Sequence, residues 1–138
     1  MMTLPNGAGG YQVGDGNLNE PLIDAIPLPV SVTAAATLTA AQVLNGLILA
    51  NNGVTTTQTY TLPTVALLEA ELVNSDKVGT SFTFRVVNLG TSSGTAVIAA
   101  GTGWTVSGSL TMTIPVTTGA QFIARKSAEG AWTLYRVV

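Results

Sequence analysis

Ser81-Phe82-Thr83-Phe84-Arg85-Val86 is the stretch that decides the fold class. Apolar and polar residues alternate with period two, which puts Phe82, Phe84 and Val86 on one face of a half-buried strand. The pattern continues outward from it. Ala120-Gln121-Phe122-Ile123-Ala124-Arg125 reads as a strand, Ser127-Ala128-Glu129-Gly130 as a hairpin turn, and Trp132-Thr133-Leu134-Tyr135-Arg136-Val137 as the return strand. Between them, Thr95–Ala100 reads as a buried strand and Leu110–Ile114 as an alternating one that Pro115 ends. Upstream, Val30–Thr33, Leu47–Ala50 and Thr55–Leu62 complete the strands, with Tyr60 and Leu62 on one face.

Two short helices interrupt the first half. Thr39 caps Ala40–Leu44, which Asn45-Gly46 closes, and Thr64 caps Val65–Leu72. In the second helix Val65, Leu68 and Leu72 form the apolar stripe, and Glu69 and Glu71 are placed on its outer side. No repeat of fixed period is present. Short strands punctuated by Gly, Asn and Pro predict a mainly β, single-domain sandwich or jelly-roll-like barrel over residues 29–138. Residues 1–28 carry five glycines, three prolines and no period, and predict an extended N-terminal arm. Leu4, Tyr11, Val13, Leu22, Ile23 and Ile26 are its apolar anchors, suited to lying on a partner.

Composition narrows function by exclusion. The 138 residues are 46% apolar but only 9% charged, and 21 are Thr. A disordered chain needs the reverse balance. With no Cys and no His, the chain has no thiolate, imidazole or disulfide, and no ordinary zinc ligand set. Carboxylates are the acid–base option left, yet Glu69 and Glu71 diverge on a helix and no predicted strand carries an acid. Asp15-x-Asn17-x-Asn19 opens like a calcium loop but has Glu20 where Gly is needed and Ile26 where Glu is needed. Gly7-Ala8-Gly9-Gly10 lacks the third glycine of a dinucleotide fingerprint, which falls on Gln12. The expectation is therefore no catalytic residue, no metal, no cofactor and no small-molecule substrate.

Five Lys/Arg are too few for a nucleic-acid surface, and no apolar run approaches the roughly 18 residues of a membrane helix. The N-terminus has no secretory pattern, which points to a chain made and kept in a cytoplasm. Charge is uneven: residues 1–76 carry six acids and no base, and residues 77–138 carry five bases and Glu129. This predicts an acidic part meeting a basic one, within or between subunits. Arg125, Lys126 and Arg136 sit on the two hairpin strands and read as cross-strand neighbours, a small basic patch or solvated edge. Trp104, Trp132 and Tyr135 read as core packing, or as a sugar-stacking platform.

Thr37-Leu38-Thr39-Ala40-Ala41-Gln42-Val43-Leu44-Asn45-Gly46 and Thr59-Tyr60-Thr61-Leu62-Pro63-Thr64 carry a resemblance. So do Phe82-Thr83-Phe84-Arg85-Val86-Val87-Asn88, Gly101-Thr102-Gly103-Trp104-Thr105-Val106 and the closing Trp132–Val137. Over residues 37–137 the chain resembles the small head-decoration, or cement, proteins of tailed bacteriophages. The resemblance lies in strand and turn residues, not in a catalytic signature. It implies a β-rich homotrimer that binds the outside of an assembled capsid and bridges its major capsid proteins. A virion location and candidate contacts at Leu4, Tyr11, Val13, Leu22, Ile23, Ile26, Arg125, Lys126 and Arg136 follow as expectations. A trimeric tail-fibre or spike module that recognises host glycans is the alternative. The initial Met1 and the closing strand suggest a short complete product, which favours decoration over a fibre terminus.

Overall fold

A computed structural model describes residues 25–107 and 112–138. The chain is mainly β, and its strands form two sheets. The first half winds between them. β1 (Val30–Val32), β3 (Leu47–Ala50) and β5 (Ser81–Asn88) lie side by side and parallel in the larger sheet. β2 (Ala36–Thr37), β4 (Gln58–Thr61) and β6 (Ala96–Ala99) do the same in the smaller one. Each strand therefore crosses to the opposite sheet, and three turns of a parallel coil result.

The second half closes the sandwich. β7 is Trp104–Val106, β8 Thr113–Ile114, β9 Gly119–Ala128 and β10 Ala131–Arg136. The larger sheet runs β1-β3-β5-β9-β10-β7 and the smaller β2-β4-β6-β8. β9 is antiparallel to β5 and to β10, whereas β7 joins β10 in parallel. The predicted hairpin is present, turning at Glu129 and Gly130. The sandwich is thus of mixed pairing, while a jelly roll is built from antiparallel Greek keys. Of the predicted Leu110–Ile114 strand, β8 holds Thr113 and Ile114; residues 108–111 lie outside the described residues.

The two seams of the coil differ. Crossings from the smaller sheet to the larger carry the helices, α1 (Ala40–Leu44) and α2 (Val65–Glu71). Both start where Thr predicts. The Thr39 hydroxyl accepts from Gln42 N and the Gln42 side chain accepts from Thr39 N, a complete capping box; the Thr64 hydroxyl accepts from Leu67 N. Val43, Val65 and Leu68 then join Phe84, Phe122, Trp132 and Leu134 in one buried cluster. Each such side chain contributes about 1.5–3 kcal/mol on burial. The Phe84 and Phe122 rings stack at 5.1 Å.

Crossings from the larger sheet to the smaller are tight, and two buried asparagines hold them. Asn51 follows β3 with φ at +60°, a conformation that Asn tolerates better than most residues. Its Nδ2 donates to Gly94 O (2.8 Å) and Thr95 O (2.9 Å). Asn88 ends β5 in register with Ala50; its Nδ2 donates to Gly94 O (3.0 Å) and Ile114 O (2.8 Å), and its Oδ1 accepts from Gly90 N (2.8 Å). The buried Tyr60 hydroxyl lies within bonding distance of Asn51 Oδ1 and Val32 O. The turns are so close that a β-carbon on Gly94 would collide with the Val54 carbonyl oxygen.

Removing either amide leaves buried polar groups without partners. Asn88→Ala and Asn51→Ala are each expected to lower unfolding free energy by about 2–4 kcal/mol. Asn51→Gly keeps the left-handed backbone and loses about 1 kcal/mol less than Asn51→Ala. Tyr60→Phe combined with Asn51→Ala is expected to be less than additive. Urea unfolding reads all three, and asparagine variants that unfold like the parent protein would contradict the arrangement.

Candidate interaction surface

The hairpin cations do not form a patch. β9 and β10 lie inside the larger sheet, not at its edges, so they need no solvated guard. Strand parity explains the rest. Lys126 shares the inward side of β9 with Ala120, Phe122 and Ala124, and it is only 2% exposed. Arg136 shares the inward side of β10 with Trp132 and Leu134, and its guanidinium donates to Thr113 O (2.9 Å) and Val138 O (2.9 Å). Arg125 points outward and is exposed. The basic-patch expectation is corrected: Lys126 and Arg136 serve opposite ends of the interior, and only Arg125 stands on the outer face.

The buried Lys126 ammonium donates to Ser75 O (2.8 Å) and lies 3.1 Å from Glu69 Oε1; the exposed Glu129 carboxylate is a looser ion-pair partner at 3.6 Å. Glu69 Oε1 also accepts from the Trp132 indole N–H at 3.0 Å. Glu69 therefore faces inward, where the sequence reading had placed it outside. The cause is helical spacing: Glu69 is four residues after Val65 and one after Leu68, on the edge of the buried stripe. The Trp132 bond, against the opposing effect of burial, and the nearby Lys126 hold the Glu69 carboxyl below its usual value. Burial acts to lower Lys126, but its bonds and charge contacts with Glu69 and Glu129 outweigh that and raise it. This is a structural ion pair that ties α2 to the hairpin.

The aromatic platform is likewise absent. Trp132 is fully buried and packs on Trp104 (6.1 Å) and Phe82 (5.7 Å), and the Trp104 indole donates to Pro63 O (2.7 Å). Only Tyr135 of the three faces out. Among the described residues no group of three His, Cys, Asp or Glu side chains could hold a metal ion, and no helix is long and apolar enough to cross a membrane. Leu4, Tyr11, Val13, Leu22 and Ile23 lie outside the described residues; Ile26 is within them and exposed.

Two surfaces remain. One is the outer face of the larger sheet. Registered rows cross it: Leu47, Arg85 and Gln121; Leu49, Val87 and Gly119; Thr83, Ile123 and Tyr135; Ser81, Arg125 and Thr133. Arg85 donates to Gln121 Oε1 at 3.2 Å. A depression of about 220 Å³ over Val87, Gly119 and Gln121, walled by Val138, is smaller than the roughly 300 Å³ at which ligand pockets begin. The other surface is α2 and the loop after it, where Leu67, Val73 and Val78 are 60%, 80% and 58% exposed. Both suit contact with a macromolecule better than enclosure of a small one. Sequence reasoning missed the second surface because Leu67 and Val73 fall beside the apolar stripe.

No family model, no curated protein and no solved structure matches this chain.

Stability should show a plateau in pH. The lowered Glu69 contributes fully above the ordinary carboxyl value of 4.5, and that contribution is lost as pH falls through its folded value. The raised Lys126 contributes fully below 10.5, and Tyr60, raised by burial, below 10.0; both contributions are lost as pH rises through the folded values. Melting temperature is expected to stay level between about pH 5 and 9.5 and to fall on either side. Lys126→Met should lower it by several degrees at neutral pH, and adding Glu69→Gln should recover part of the loss, because the second change removes a stranded carboxylate. Thermal melts across pH check this; a Lys126→Met protein as stable as the parent would refute the pair's role.

Proposed function

We propose that this chain is a structural virion protein that binds the exterior of an assembled phage capsid as a homotrimer and bridges its major capsid proteins without catalysing a reaction. The observation that carries the reading is where charge and hydrocarbon sit. Glu69, Lys126 and Arg136 act inside the fold, while Leu67, Val73 and Val78 stand in solvent within one twelve-residue stretch. Exposed aliphatics of this kind, with Glu71, Asp76 and Lys77 exposed among them as a polar rim, are suited to being covered. The resemblance of residues 37–137 to decoration proteins supplies the class of partner.

The physics of such a role is mass action. A protein that binds the assembled lattice and not its free subunits stabilises the lattice by its binding free energy. Three copies on a symmetric shell turn weak contacts into avidity. On this reading the α2 surface contacts the shell.

Light scattering on the purified protein should give the mass of three 14.1-kDa chains. Shells lacking the protein should rebind it and resist heat or chelator better afterwards. Leu67→Glu with Val73→Glu should weaken shell binding by about tenfold or more and leave the melting temperature within a few degrees. A monomer that ignores shells would end the proposal, and glycan binding by a trimer that ignores shells would favour the tail-fibre alternative.

A further inference from the structure

We propose that residues 1–24 of this chain dock on the outer face of the six-stranded sheet. The smaller sheet and both helices bury their apolar residues on the inner side of that sheet. The outer side carries half-buried Leu47, Leu49, Val87 and Ile123, with exposed Tyr135. Its charged strand residues are Arg85 and Arg125, and no outward-facing strand residue of the sheet is acidic. A face of aliphatic rows with cations alone selects an acidic, apolar-studded strip.

Residues 1–24 have that chemistry. They hold Asp15, Glu20 and Asp24 and no Lys or Arg, interspersed with Tyr11, Val13, Leu22 and Ile23. They also arrive at the right place. The chain leads from Ala25 into β1, the edge strand of this same sheet, and Asn45 Nδ2 donates to Leu28 O (3.1 Å) beside it. Arg85 lies two strands from β1 and Arg125 three, about 10 and 14 Å across the sheet, with Arg125 a further five residues, about 17 Å, along it. Glu20 is ten residues before Val30, a tether of up to about 33 Å, so both cations are within reach. The inference is independent of what the protein binds, and concerns only what covers this face.

The full-length protein provides the test. A protease that cuts on the N-terminal side of aspartate cleaves between Ile23 and Asp24, and mass spectrometry follows release of residues 1–23. Arg85→Glu with Arg125→Glu should speed that cut about tenfold, because cleavage tracks the undocked population. Arg85→Lys with Arg125→Lys should leave the rate within about twofold, since the charge is retained. Both variants change exposed outer-face side chains, and a melt confirms that each is folded. Hydroxyl-radical labelling of Ile123 and Tyr135 should rise severalfold once residues 1–23 are clipped from the parent protein. Equal cleavage rates in parent and charge-reversed protein, or labelling unchanged by clipping, would overturn the proposal.

Discussion

The structure depends on satisfying a handful of carbonyls at one seam. A coil that crosses between two sheets in a few residues must bend its backbone where no ladder continues. Gly94 O, Thr95 O and Ile114 O fall inside that bend, away from water, and a buried carbonyl without a donor costs about 1–3 kcal/mol. Asn51 and Asn88 supply the donors, two each, and Tyr60 satisfies Asn51 in turn. The amides fix how far apart the turns lie, and so fix the register of β1, β3 and β5. Phe84 and Val86 reach the core only in that register, since a slip of one residue would turn them outward. The knot therefore sets the hydrophobic contacts, even though those contacts contribute most of the stability.

The opposite seam is held by a different interaction. There the helices keep the sheets apart, and Lys126 with Glu69 and Trp132 joins α2 to the hairpin. An ion pair taken from water gains little net stability over an apolar packing of the same shape. Its value lies in direction. Directed bonds from one ammonium fix the positions of Ser75 and Glu69 relative to each other, which an aliphatic side chain could not do. The consequence reaches the surface. In a chain with so few ions, each one turned inward leaves the exterior more dependent on Thr, Gly and aliphatic residues.

Much of this was readable beforehand, and the failures have physical causes. Period-two alternation revealed the hairpin and β5, because those strands face core on one side and solvent on the other. Thr39 and Thr64 marked both helix starts, because capping is a local interaction. The parallel coil was hidden. Its register comes from contacts far apart in sequence, and its turns are unequal: Ile48 lies 18 residues after its neighbour Val30, and Val86 38 residues after Ile48. β2 and β7, of two and three residues, are too short to show a period. The inward placement of Lys126, Arg136 and Glu69 follows from strand parity and helical spacing, against the usual preference of charged residues for the surface. Asn51-Asn52-Gly53 read correctly as a turn; that its first amide is buried depends on Gly94, forty-three residues away. Of the candidate contacts, five fall outside the described residues, so the arm stays an expectation from composition.

That division between local and long-range information bears on function as well. A catalytic site announces itself by residue type, since only a few side chains move protons or hold metals. An adhesive surface does not, because Leu, Val and Thr are the same residues that build the core. The distinction appears only once the fold has assigned each to an inside or an outside. Here the fold leaves Leu67, Val73 and Val78 outside while it draws Lys126 in. Burial of hydrocarbon lowers free energy wherever it happens, so a fold that leaves such residues exposed keeps that contribution for a later contact. A protein that holds a pressurised shell together needs many such contacts and no reacting group. The proposed adhesion to a lattice therefore rests on the surface chemistry more than on the absence of any one side chain.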